Sequence, residues 1–185
     1  DGNGNENGGT SAGGKYKIGD YYENGDVKGV VFKVNGKHGK IVSLEQTSCR
    51  WSNGEFRDII PELDDSDGEI NMRIIQTFTD WRTYFPAFAW CADFGDGWYL
   101  PAIEEIKELS DAFGRAPADR YKFNQAIINN GGDAIIESIY WSSSAHLYIP
   151  TGTSKAVYIF DMGRGTKDDT IYDYSENLVR AIRAF

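Results

Sequence analysis

Strand-forming runs occupy both ends of this chain, and the helical patterns fall between them. That order points to an α+β domain with antiparallel sheets and helices grouped in the middle, because a chain that alternated strand and helix would build a parallel sheet instead. "GVVFKVNGKHGKIVSL" (29–44) reads as a hairpin whose turn opens with Asn35-Gly36. "SIYWSSS", "KAVYIFDM" and the closing "NLVRAIRAF" read as three later strands, at about 138–143, 155–161 and 178–185. The first and last strands are expected to be neighbours, leaving the termini close. "TSCRWSNGEF" (47–56) reads as loop, and 70–80 as a helix. A second helix opens at Pro86, where Ala87, Trp90, Cys91 and Phe94 fall at helical spacing and Gly95 ends it. A third runs to about Asn129 with Phe123 and Ile127 inward. Residues 15–185 are expected to form a single domain, with 41% hydrophobic and 14% aromatic residues to build its core.

The middle of the chain holds its most distinctive junction, "GDGWYLPAIEEIKEL" (95–109). Gly95 and Gly97 supply turn conformations; Trp98, Tyr99 and Leu100 suit a short buried strand; Pro101 ends the ladder by removing a donor. Ile103, Ile106, Leu109 and Phe113 then give the next helix an apolar face, with Glu104 and Glu105 in its first turn. Ala102 sits where an N-cap Ser or Thr would be expected, so Ala102→Thr is expected to be neutral or stabilising.

"DGNGNENGGTSAGG" (1–14) has almost nothing to bury and reads as a flexible tether. Neither it nor "LDDSDGEINMRI" fits a calcium loop: Glu6 and Ala12 break the first, Leu63 and Ile74 the second. Net charge is −9, with residues 15–50 carrying seven basic side chains against four acids and residues 51–185 carrying twelve against twenty-two. Such an acidic chain is a poor partner for nucleic acid. The Lys33–Lys40 ridge reads as a solvated hairpin face. No apolar run is long enough to span a bilayer. The chain starts at Asp1 rather than Met, so a trimmed leader is expected.

Catalytic and metal motifs are missing: there is no HExxH, Gly-x-Ser-x-Gly or CxxC. Ser142, Ser143 and Ser144 read as polar edge-strand or turn residues, with no His placed by motif to activate one. Cys49 and Cys91 leave two readings open, a buried free thiol at Cys91 or a bridge closing a loop of about forty residues. Two cysteines and two distant histidines give no expected metal site, and no cofactor is expected.

"FPAFAWCADFGDGWYLPAIEEIKEL", then "YWSSS", then a terminal "VRAIRAF" resemble the C-terminal domain family of bacterial collagen-like adhesins. The more usual family pattern is Trp-Arg-Leu-Pro-Thr before a Glu-Leu helix, then Tyr-Trp-Ser-Ser-Thr, then Val-Arg-x-Val-Arg; this chain has Tyr99, Ala102 and Ser144 at three of those places. Its "GDYYENGDVKGVVFKVNGKHGKIVSL" is similar to the hairpin of versions from Gram-negative gut anaerobes, so the resemblance covers about 16–185. It implies a C-type-lectin-like fold, related to that of the formylglycine-generating enzyme. It also implies export to the cell surface, outer membrane or periplasm, with a lipid anchor outside these residues as the only membrane attachment. The enzyme branch needs a late cysteine pair, and no Cys follows Cys91, so that activity is not carried over. Trp98, Leu100, Pro101 and Trp141 are then framework residues, as are Cys49 and Cys91.

The function expected is a non-catalytic surface binding module for a glycan or protein ligand. The alternatives are a pilus or stalk component, and a glycan hydrolase using Asp161, Asp168 or Asp173. Two connections after Ser144, "AHLYIPTGT" and "GRGTKDDTIYDYSEN", carry the candidate ligand-binding residues. His146, Tyr148, Tyr172 and Tyr174 offer rings; Arg164, Lys167, Asp168, Asp169 and Asp173 offer charged hydrogen bonds.

Overall fold

Asn35-Gly36 makes the expected turn, with Gly36 at a φ of 63°, a value that glycine adopts without steric cost. It joins β2 (Val27–Asn35) to β3 (His38–Val42), and β1 (Tyr21–Asn24) pairs antiparallel on the far side of β2. The computed structural model describes residues 15–54, 60–147, 155–171 and 173–185; the expected tether at 1–14 lies outside them.

The remaining strands are β4 (Thr47–Arg50), β5 (Trp98–Tyr99), β6 (Ile139–Leu147), β7 (Lys155–Asp161), β8 (Thr166–Thr170), β9 (Glu176–Val179) and β10 (Ile182–Ala184). They complete two sheets, in the orders β1-β2-β3-β10-β5 and β4-β9-β6-β7-β8. Pairing is antiparallel except between β6 and β9. The helices α1 (Gly68–Ile75), α2 (Trp81–Tyr84), α3 (Pro86–Ala92), α4 (Ile103–Phe113) and α5 (Pro117–Ile128) all fall in the middle, so the architecture is α+β.

Four local readings change. Thr47–Arg50 is a strand rather than loop, and the next residue, Trp51, is buried edge-on against Phe88 at 5.1 Å. The helix expected over 70–80 ends at Ile75, and a short one follows after Asp80, whose φ is 55°. The closing segment is two strands, not one: β9 lies in one sheet and β10 in the other. The last strand therefore neighbours β3 rather than β1, although the ends still meet, with Phe185 against Tyr16 and Tyr22.

Arg180 explains that split. Its guanidinium, 1% exposed, donates to the Ser43 carbonyl at 2.7 Å, the Leu44 carbonyl at 2.8 Å, the Gln46 side chain and the Asp133 carbonyl. The chain crosses between sheets at 43–46 and again at 180–181, and Arg180 fastens the two crossings together. Burial lowers its pKa to about 10.

The junction is assembled around Glu105, 2% exposed. One carboxylate oxygen accepts the Ala102 and Gly68 N–H groups at 2.8 and 3.0 Å. The other accepts Lys40 Nζ at 2.5 Å and the Tyr99 hydroxyl at 2.9 Å. Gly68 is needed here because a Cβ would overlap the Leu100 carbonyl and the Ala102 nitrogen. The hydroxyl that Ala102 lacks comes from elsewhere: Ser144 Oγ accepts the Ile103 N–H at 2.9 Å, and the Asp65 carbonyl accepts that of Glu104 at 2.9 Å.

The serine run is therefore neither edge nor turn. Ser142, Ser143 and Ser144 are buried at an irregularity of the central strand β6. Ser142 donates to the Tyr158 carbonyl, Ser143 accepts from Asn71, and Ser144 donates to the Asp64 carbonyl. Trp98, Leu100, Pro101 and Trp141 are buried as framework residues would be, and Trp141 donates its indole N–H to the Cys49 carbonyl at 2.9 Å. Cys49 and Cys91 are free thiols, and burial raises both: Cys49 to about 11, with Glu176 adding, and Cys91 well above its ordinary value.

Candidate functional site

Side chains alternate across a strand, so register decides which candidate residues can meet. β7 and β8 pair Tyr158 with Asp169 and Ile159 with Asp168. Asp169 therefore shares a face with Tyr158, and Asp168 lies on the opposite face. On the Tyr158 face, His146 of β6 stacks on the Tyr158 ring with centroids 4.5 Å apart. Its Nε2–H donates to Asp169 at 2.9 Å. Lys167 lies 5.3 Å from the same ring centroid and 3.5 Å from Glu104. Burial first, then Asp65, raises the Tyr158 hydroxyl's pKa. His146 Nδ1 is shielded from solvent and has no partner among the described residues.

Three of the nine expected ligand-binding residues thus converge: His146, Lys167 and Asp169. Tyr158, which the sequence reading did not single out, is the platform that joins them. It sits inside a strand, and only the cross-strand register reveals it. His146 pairs with Asp169 and Lys167 with Glu104, so the cluster links β6 to β8 and β8 to the start of α4.

The others lie apart. Residues 166–170, read as part of a connection, are the edge strand β8. Arg164, 84% exposed, lies in the turn between β7 and β8, where Asp161 accepts its backbone N–H at 2.9 Å. Asp168 is exposed and accepts the Asp169 N–H. Tyr174 is 48% exposed. Asp173 is buried, which corrects its reading as a surface ligand: its carboxylate accepts the Ser52 hydroxyl, and its carbonyl accepts the Trp51 and Ser52 N–H groups. Tyr148 and Tyr172 lie outside the described residues.

Asp161, Asp168 and Asp173, the acids considered for hydrolysis, serve three separate local roles: a turn, an edge strand and a buried anchor. The hairpin's basic ridge is partly neutralised, since Lys33 pairs with Glu108 and Lys40 with Glu105, both at 2.5 Å. Among the described residues, no group of three or more His, Cys, Asp or Glu is placed to hold a metal ion, and no helix is long and apolar enough to cross a membrane.

No protein-family model and no curated protein matches the chain. Among solved structures, it is similar to a fimbrial protein from Bacteroides ovatus, with a TM-score of 0.65 at 16% sequence identity. The match covers 92% of this chain and 49% of that one, so this chain spans about half the neighbour's length. At that identity the likeness is one of fold.

Proposed function

We propose that this chain is a non-catalytic building module of an exported surface fibre, a pilus or stalk component. The observation that carries the reading is the fold likeness to a fimbrial protein across 92% of the chain. The candidate cluster is in keeping with it: His146, Tyr158, Lys167 and Asp169 contact one another across β6, β7 and β8. The finer fold in this reading is C-type-lectin-like, as the junction, serine and terminal motifs suggest. Membrane attachment is through a lipid anchor outside these residues, and the main partner is a neighbouring fibre subunit.

Deletion of the coding sequence, followed by negative-stain electron microscopy, tests the proposal. Loss or a changed length of surface fibres, restored by complementation, is expected. Fibres unchanged in number and length would overturn it.

A further inference from the structure

Cys49 and Cys91 belong to elements that pack on each other. Along β4, Thr47 and Cys49 are half-buried while Ser48 and Arg50 are exposed, and the buried Trp51 follows, so 47, 49 and 51 share the inward face. On α3 and the turn after it, Phe88, Cys91 and Phe94 recur every three residues, and Asp93 between them keeps helical φ and ψ. The two rows meet at both ends. Trp51 packs edge-on against Phe88 at 5.1 Å, and Thr47 and Phe94 line one concavity. Cys49 is midway along the first row and Cys91 midway along the second. Four strand residues advance about 13 Å and six helical residues about 9 Å, so the mismatch falls at the ends and is least at the middle. That register sets Cys49 against Cys91. The electrostatics agree: burial first, then the nearby Cys49, raises the Cys91 thiol.

Neither thiol is open to exchange once the domain has folded. Exchange needs a thiolate that can reach the oxidant, and burial keeps both sulfurs protonated. Cys91 is fully buried, which also closes it to a cysteine of another chain. In the unfolded chain both are ordinary thiols.

We infer that Cys49 and Cys91 form a disulfide as the chain folds, fastening α3 to β4, and that the two thiols described above are its reduced form. The oxidant is a disulfide carrier. One cysteine thiolate attacks the carrier's disulfide, forming a mixed disulfide and releasing one carrier thiolate. The other cysteine thiolate attacks the cysteine sulfur of that mixed disulfide, so the Cys49–Cys91 bond forms and the second carrier thiolate leaves. The chain gives up two electrons to the carrier, and the two thiol protons pass through water to the released carrier sulfurs. The bond closes a loop of about forty residues and removes that much freedom from the unfolded chain. It also joins two elements with little support of their own: β4 is an edge strand, and α3 is too short to persist alone. The inference rests on the proposed function only for export, which brings the chain to a compartment holding such an oxidant.

Refolding of the reduced, urea-unfolded chain in the presence of glutathione disulfide tests it. Remaining thiols are blocked with iodoacetamide, and a tryptic digest is mapped by mass spectrometry without reduction. Residues 41–50 joined to 83–107 are expected, from a monomeric chain. The urea midpoint should lie about 1–2 M above that of the chain refolded with reductant. Cys49→Ser, at a half-buried position, should fold, form no bridge and lose that gain. The chain folded in its reduced form should resist the same oxidant. The inference is overturned if the refolded chain carries both cysteines alkylated, if cysteines of two chains pair instead, if the bridged chain is no more stable than the reduced one, or if the folded reduced chain is bridged as fast as the refolding one. The assay supplies the oxidant itself, so failure here is distinct from failure of the fibre proposal.

Discussion

Replacing Glu105 with Gln should destabilise the protein by about 2.5–4 kcal/mol, a figure that follows from which donors a neutral amide can still satisfy. The carboxylate takes four donors, two on each oxygen. The backbone N–H groups of Gly68 and Ala102 cannot turn away, so the amide oxygen must face them. The amide nitrogen then faces Lys40 and Tyr99. The Tyr99 hydroxyl can rotate to accept, but Lys40 loses its partner. Losing that charged contact costs about 1.5–3 kcal/mol, and weakening two backbone bonds from a charged to a neutral acceptor costs roughly 1 more. Lys40→Met is different, because the carboxylate keeps three donors; about 1–2 kcal/mol is expected. Urea unfolding at neutral pH, followed by tryptophan fluorescence, measures both. With a slope of about 2 kcal/mol per molar urea, the Glu105→Gln midpoint should fall by about 1.2–2 M. Equal losses for the two variants, or a Glu105→Gln loss below about 1 kcal/mol, would refute the hub argument.

Trp98→Ala should cost about 3–5 kcal/mol in the same assay, since the ring is buried and packs on Phe94; a loss under about 1 kcal/mol would contradict its framework role. Ala102→Thr, which the sequence suggests is benign, should instead lose about 1–3 kcal/mol, because the site is fully buried and Ser144 and Asp65 already serve the neighbouring N–H groups; unchanged stability would count against this. Neither thiol should react readily with Ellman's reagent at pH 8 in the folded protein, while both should after unfolding. A folded pKa raised to about 11 means that the stability Cys49 contributes is whole below about 9 and is lost as pH rises from there through 11. Rapid native labelling of Cys91, or stability that rises over that window, would contradict the burial argument.

The hairpin, the proline-initiated α3, and α4 with its four inward residues were legible because their signals are local: a turn residue, a cap or a repeat of apolar positions. β8 was not, since "TKDDT" has no apolar phase; it forms because β7 offers a free edge. β4 was hidden in the same way, and the burial of Trp51 that follows it is a tertiary fact. The break between β9 and β10 depends on what Arg180 finds when buried, four acceptors drawn from residues 43–46 and 133. At the candidate site, the residues were read as lying in two connections, whereas His146 ends β6 and Lys167, Asp168 and Asp169 belong to β8. Register separated Asp169 from Asp168, and burial against Ser52 removed Asp173.

The central claim is that this chain is built into a surface fibre. Immunogold electron microscopy, with antibody raised against the purified chain and applied to intact producing cells, tests it most directly. Gold along extracellular fibres or at their tips is the predicted result; fibres left unlabelled, with the chain abundant elsewhere in the same cells, would contradict it.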